Sequence, residues 1–203
     1  MIFSETSQID MNFDEHCVTQ KFKAVATLII APTHLADYAV KMFVKNDEID
    51  SLVSIGFGDI INGNLHKYVP MYKIKKARQI YKNSKVRPGY LHKFILRSRP
   101  DLVHALYNIP ETHKLICQIE CPKKEITKYK NIDIGFTSNG KYELRDKTLI
   151  GCAIRETLEE TSLQLKENFF CSKFQLEQRK KGGMETIPLN FSYNKTFCYV
   201  LIL

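Results

Sequence analysis

From Thr148 to Leu165 the apolar residues Leu149, Ile150, Ala153, Ile154, Leu158 and Leu163 recur at helical spacing, making this the most firmly helical stretch of the chain. Thr148 or Asp146 stands where an N-cap is needed. The same stretch carries the string RETLEETSL, in which Glu156, Glu159 and Glu160 fall at i, i+3 and i+4 and share one face. Three carboxylates at that spacing repel one another. A cluster of this kind beside an apolar face calls for a counter-charge, and a hard divalent cation with oxygen ligands is the natural one. Arg155 is positioned to screen and orient the acids. The plain alternative is an exposed acidic helix surface, and three glutamates alone would favour it.

That helix needs a partner layer. Residues 21–31, KFKAVATLIIA, are β-branched and apolar and end at Pro32, which reads as a buried strand; a second strand is expected at Tyr38–Lys45. Asp101–Tyr107 reads as a short helix opened by Pro100, and Leu115–Glu120 and Asp133–Phe136 as short strands. The tail alternates through FCSKFQLEQ, breaks at Gly182-Gly183 and resumes in NKTFCYVLIL, which reads as two strands. The last of these stops inside an apolar run, so a shortened C-terminus is one expectation. Strands interleaved with helices over 203 residues, 44% of them hydrophobic, give one α/β (α+β) domain with a mixed sheet. No repeat, heptad run or low-complexity tract is present, which excludes a fibrous, coiled-coil or mainly disordered chain.

Net charge is +8, and its distribution is uneven. Lys67–Arg99 holds eleven Lys or Arg and no Asp or Glu, so the remainder of the chain sums to −3. Tyr68, Tyr72, Tyr81, Tyr90 and Phe94 are interleaved with these cations. Cations neutralise phosphates and rings stack on bases, so the segment has the footprint of a single-stranded nucleic-acid surface. Lys73, Lys75, Lys76, Arg78, Lys82, Lys85 and Arg87 are the expected RNA contacts. The segment reads as helical up to Pro88-Gly89, and a solvated helix with Ile74, Ala77, Ile80 and Tyr81 turned inward is the competing account. The two are compatible.

Six scattered cysteines do not make a disulfide scaffold, and reduced, mostly buried thiols are expected. His113, Cys117 and Cys121 are four apart but lack the fourth ligand of a zinc site. The longest apolar runs, Ala24–Ala31 and Phe197–Leu203, are too short for a bilayer, so no membrane partner is expected. The N-terminus has no basic residue before Lys21 and fits no secretory or transit peptide, which points to the cytoplasm, with the nucleus as the other compartment. The sequons at Asn190 and Asn194 then go unused.

Upstream of the helix stands Gly135-Phe136-Thr137-Ser138-Asn139-Gly140-Lys141, followed by a loop with Glu143 and Asp146. Together with the helix this resembles the box of the Nudix superfamily, G-x5-E-x7-R-E-U-x-E-E-x-G-U with U aliphatic. The resemblance rests on Gly140, Asp146, Arg155, Glu156, Glu159, Glu160 and Leu163, and it spans residues 140–163, about a tenth of the chain. Counting back from Arg155, the family's loop glutamate falls on Lys147, whereas Asp146 sits six residues after Gly140, so the loop is one residue longer and carries aspartate. Thr157 occupies an aliphatic position, and Ser162 stands where the family has glycine, a site for a left-handed cap.

The resemblance implies a Nudix-type mixed sheet flanked by helices, built from residues 21–45 and 131–203, with 46–130 as a basic, largely helical insertion. It implies Mg²⁺ or Mn²⁺ held by Glu156, Glu159 and Glu160, with Asp146 as a weaker, water-mediated ligand. Arg155 would orient the acids, Glu159 or Glu160 would help deprotonate water, and Gly140 and Lys141 would approach the substrate phosphates. Glu177 and Glu185 are candidates for a base outside the box. The implied reaction is hydrolysis of a pyrophosphate linkage. Long basic insertions and a replaced late glycine look like the Nudix enzymes of large DNA viruses, which include poxviral mRNA-decapping enzymes and baculoviral proteins described as ADP-ribose pyrophosphatases. Decapping of RNA to release a methylguanosine diphosphate, in the host-cell cytoplasm if the chain is viral, is the leading expectation. Hydrolysis of ADP-ribose or another nucleoside-diphosphate-linked small molecule is the second. The third is a catalytically silent RNA-binding module with a decayed box.

Overall fold

The apolar run ahead of Pro32 forms the strand on which the rest is assembled. In the computed structural model, which describes residues 21–44, 52–62, 85–87, 89–120 and 131–203, β1 covers Ala24–Pro32 and is buried along almost its whole length. Period-two alternation sends Ala26, Leu28 and Ile30 to one side and Val25, Ile29 and Ala31 to the other, each into its own core. A strand apolar on both faces needs a layer on each side.

The sheet is mixed. β2 (Leu52–Ile55), β3 (Lys85–Arg87), β4 (His113–Glu120), β5 (Asn131–Ile134), β6 (Ser138–Lys141), β7 (Phe191–Tyr193) and β8 (Thr196–Ile202) complete it. Its main order is β3-β5-β4-β1-β8-β7, with β2 added to β4 and β6 to β1. One edge of β1 is shared: Ile29–Pro32 pair with β4, and Ala24–Thr27 pair with β6, both antiparallel. Its other edge pairs in parallel with β8. Where β4 and β6 part, the fully buried Thr137 closes the gap, its hydroxyl donating to Ile116 O at 2.5 Å and accepting from Ile29 N at 2.9 Å.

Six α-helices lie among the described residues: α1 (Thr33–Val44), α2 (Phe57–Asn62), α3 (Gly89–Ser98), α4 (Pro100–Tyr107), α5 (Leu149–Thr161) and α6 (Ser172–Lys181). Phe57, Ile60, Leu91, Ile95, Leu102 and Leu106 bring α2, α3 and α4 onto one face of β1. Ala36, Ala39, Leu149, Cys152 and Ala153 bring α1 and α5 onto the other. Each fully buried Leu, Ile or Phe contributes about 1.5–3 kcal/mol relative to exposure. Among the described residues no helix is long and apolar enough to cross a membrane.

Several expectations are corrected here. Of the strand expected at Tyr38–Lys45, Tyr38–Val44 belong to α1 and Lys45 lies outside the described residues: the buried Ala36 and Ala39, three apart, let a helix lie close against the sheet, while Leu35 and Tyr38 face outward. FCSKFQLEQ is not a strand, because α6 seats its buried Gln175 at the end of β8, where the amide oxygen accepts from Ile202 N at 2.8 Å. Lys85–Arg87, expected as helix, pairs in parallel with β5. The described parts of the stretch expected as an insertion, residues 46–130, contribute strands to the sheet, since β4 pairs with β1 and carries β2 on its other side. His113 and Cys117 lie on β4, so no helix face joins them. The strand at 133–136 begins and ends two residues earlier, with Gly135 and Phe136 bonded through their backbones to Gln118.

Candidate functional site

The helix expected at 148–165 is α5, and both of its ends are set by the residues the sequence singles out. Thr148 caps it, its hydroxyl accepting from Gly151 N at 2.9 Å. Ser162 ends it in the left-handed conformation at φ 58°. Gly151 is required by packing, because a Cβ there would lie 2.1 Å from Asp146 O. The missing side chain lets the preceding loop lie close against the first turn of α5.

The longer loop folds as a 3-10 turn at Leu144–Asp146. Glu143 and Asp146 form a reciprocal capping box across it, with Glu143 N donating to Asp146 Oδ2 at 2.8 Å. Lys147 follows at φ 62°, and this residue takes the backbone turn that delivers Asp146 to the helix. Asp146 therefore sits where Arg155 can grip it. Arg155 Nε donates to Oδ1 at 2.6 Å and Nη2 to Oδ2 at 2.9 Å, a two-point fork on a carboxylate whose side chain is 1% exposed. Burial raises the Asp146 carboxyl, but the Arg155 fork and the Glu143 amide outweigh it and hold the group below its ordinary value. The Asp146 hydrogen bonds, joined by those of Glu156, raise Arg155 in turn. Asp146, expected from the resemblance as a weaker ligand, is thus engaged as an anchor for Arg155.

The rest of the guanidinium is committed too. Nη2 also donates to Lys141 O at 2.9 Å, and Nη1 donates to Glu156 Oε1 at 2.7 Å and Glu159 Oε2 at 3.2 Å. All five N–H donors have a partner. Glu156 is lodged against β6, where a Cβ on Gly140 would come within 1.8 Å of its carboxyl carbon. Gly140 is required by Glu156, a reason different from the phosphate approach implied by the motif. Lys141 contributes its carbonyl to Arg155, and the residue is otherwise exposed.

Glu159 is half-exposed at the rim, with Arg145 Nη2 3.5 Å from its Oε1 while Arg145 Nε pairs with Glu143 at 2.6 Å. Glu160 lies on the strand side of α5. Its Oε2 accepts from Gln118 Nε2 at 2.8 Å and from Asn139 N at 3.0 Å. Beneath the helix, Thr157 is fully buried and shares a 2.7 Å hydrogen bond with Ser138 of β6. A hydroxyl at an aliphatic position is accommodated because the strand supplies a matching hydroxyl. The neighbouring Cys152 thiol is pushed up to about 12 by burial and by Asp146, so it stays protonated and unreactive. Cys117 and Cys198 are likewise buried and raised.

Oxygen-only carboxylate donors are the type a hard divalent cation takes. Among the described residues no three His, Cys, Asp or Glu side chains are grouped so as to hold a metal ion. Glu156 and Glu159 instead converge on one cationic nitrogen, Arg155 Nη1, which marks a point both carboxylates can reach. The donor set fits Mg²⁺ or Mn²⁺ in chemistry.

Glu177 is exposed on α6, and Glu185 is exposed beyond it, its backbone carbonyl accepting from Arg179. No hydrogen bond or ion pair ties either to the box among the described residues. Lys73, Lys75, Lys76, Arg78 and Lys82 lie outside the described residues, and Lys85 and Arg87 lie in β3. Phe94 is a core residue, its ring 4.9 Å from Phe136 and 4.6 Å from Tyr193, so it is not the stacking platform expected of it. Sequence reasoning missed Gln118, Gly151 and the Ser138–Thr157 pair. Only Gly151, a glycine inside a helical pattern, carried a local signal. No family model matches the chain, and no curated protein or solved structure matches it.

Proposed function

We propose that the chain is a metal-dependent hydrolase of pyrophosphate linkages of the Nudix kind, acting on capped RNA. The observation that carries the reading is the engagement of Arg155: one guanidinium gathers Asp146, Glu156, Glu159 and the β6 carbonyl of Lys141 into a single acidic site beside the sheet. An acidic helix surface without a function needs neither a buried two-point anchor nor a glycine cradle for one of its glutamates.

Glu156, Glu159 and Glu160 are the residues to hold Mg²⁺ or Mn²⁺. Bound there, the ion supplies Lewis acidity to the phosphate oxygens and lowers the pKa of the attacking water. Arg155 keeps Glu156 and Glu159 facing the same point, and Gly140 leaves the room Glu156 occupies. Glu159, the most exposed of the carboxylates in this cluster with Arg155, is the group to accept the water proton. The choice of capped RNA rests on the basic segment. Lys85–Arg87 joins the sheet through β5, which pairs with β4 at Ile119 and Glu120, next to the Gln118 that bonds Glu160. An RNA body on that segment would extend from the acidic site.

The experiment supplies cap-labelled RNA and ADP-ribose separately with Mn²⁺. Release of methylguanosine diphosphate from RNA is expected. Cleavage of ADP-ribose alone would replace the RNA substrate with a small one, and no turnover of either would favour a silent binding module.

A further inference from the structure

We propose that Gln118, on β4 and outside the loop–helix motif, is a positioning residue that fixes the Glu160 carboxylate for metal binding; the inference rests on the metal-hydrolase reading above. Gln118 is held from both sides of its backbone. It faces Leu52 of β2 across the sheet, while its N–H donates to Phe136 O at 3.2 Å and its carbonyl accepts from Gly135 N at 3.0 Å. Its side-chain amide nitrogen donates to Thr137 O at 2.8 Å and to Glu160 Oε2 at 2.8 Å. Both partners are acceptors, so only the NH₂ end can serve them, which fixes the amide orientation.

Tying β4 to the segment before β6 would need only the bond to Thr137. The second proton goes instead to a carboxylate on another layer. Asn139 N meets the same oxygen at 3.0 Å, so two donors from two strands converge on one oxygen of Glu160. That convergence orients the carboxylate as second-layer partners orient metal ligands generally, and loss of such a partner costs about 10–100-fold in metal affinity.

The test titrates Mn²⁺ into the full chain, read as free Mn²⁺ by EPR, for wild type, Gln118→Met, Glu160→Gln and the double variant. Gln118→Met is expected to weaken Mn²⁺ binding about tenfold. In the Glu160→Gln background the same change is expected to have no further effect, because the group it orients is no longer a carboxylate. Wild-type affinity in Gln118→Met, or an equal loss in both backgrounds, would overturn the proposal and leave the hydrolase reading intact. Absence of Mn²⁺ binding by wild type would overturn both. Should Gln118→Met not fold, Gln118→Asn carries the test: its amide is one methylene short of spanning both acceptors, and weaker Mn²⁺ binding is expected, wild-type affinity being the contrary result.

Discussion

Arg155 and Asp146 form the anchor of the acidic site, and their chemistry makes them unforgiving to substitution. Lysine has no planar fork, so Arg155→Lys is expected to lose most of the turnover and about 3 kcal/mol of stability, because the Asp146 carboxylate stays buried without its two-point partner. Thermal melts beside kinetics check this. Asp146 also sets a pH dependence. Its carboxyl is held below the ordinary value, so its stabilisation is complete above that value and is lost as pH falls below about 4 toward the folded-state pKa. Asp146→Asn is expected to flatten the acid limb of a stability–pH profile, and an unchanged limb would contradict the anchor role. Gly140→Ala separates packing from folding in another way. The added methyl collides with Glu156, so turnover should fall at least tenfold while the melting temperature moves far less than for Arg155→Lys.

At the scale of the element, α5 is defined by what lies under it and by how it ends. Thr157 and Ser138 satisfy each other in a buried position, so removing one hydroxyl strands the other. Thr157→Val is expected to cost about 1–3 kcal/mol, and Thr157→Val with Ser138→Ala distinctly less. Urea denaturation of the four proteins in that cycle measures the coupling. Additive losses would mean that the hydroxyl pair contributes nothing. Ser162 holds φ 58° without the freedom of glycine, so Ser162→Gly is expected to stabilise by about 0.5–1 kcal/mol.

For the whole molecule, the uneven charge predicts how RNA should bind. Alanine at Lys73, Lys75 and Lys76 is expected to raise KM for capped RNA, leave hydrolysis of a small cap analogue unchanged, and reduce the salt slope of RNA binding by about 0.7 for each lost phosphate contact. An unchanged slope would reduce the basic run to plain surface. The layered α/β plan was legible in the sequence where periodicity is strong: β1, α4, α5 and β8 follow from residue spacing. It was not legible where tertiary packing decides, as at α1, whose small Ala36 and Ala39 signal no helix by themselves, or α6, which depends on Gln175 meeting Ile202. The glutamates of the site were readable because Glu156, Glu159 and Glu160 share one helix. Gln118 was not, because the contact that gives it meaning spans 42 positions of sequence.

We propose that the carboxylates gathered around Arg155 do metal-dependent chemistry on a pyrophosphate linkage. The decisive experiment incubates cap-labelled RNA and Mg²⁺ or Mn²⁺ with wild type and with Glu159→Gln/Glu160→Gln. Metal-dependent release of the labelled cap nucleotide, abolished in the variant at unchanged RNA affinity, is the predicted result. Release that persists without divalent metal, or is equal in the two proteins, would contradict it.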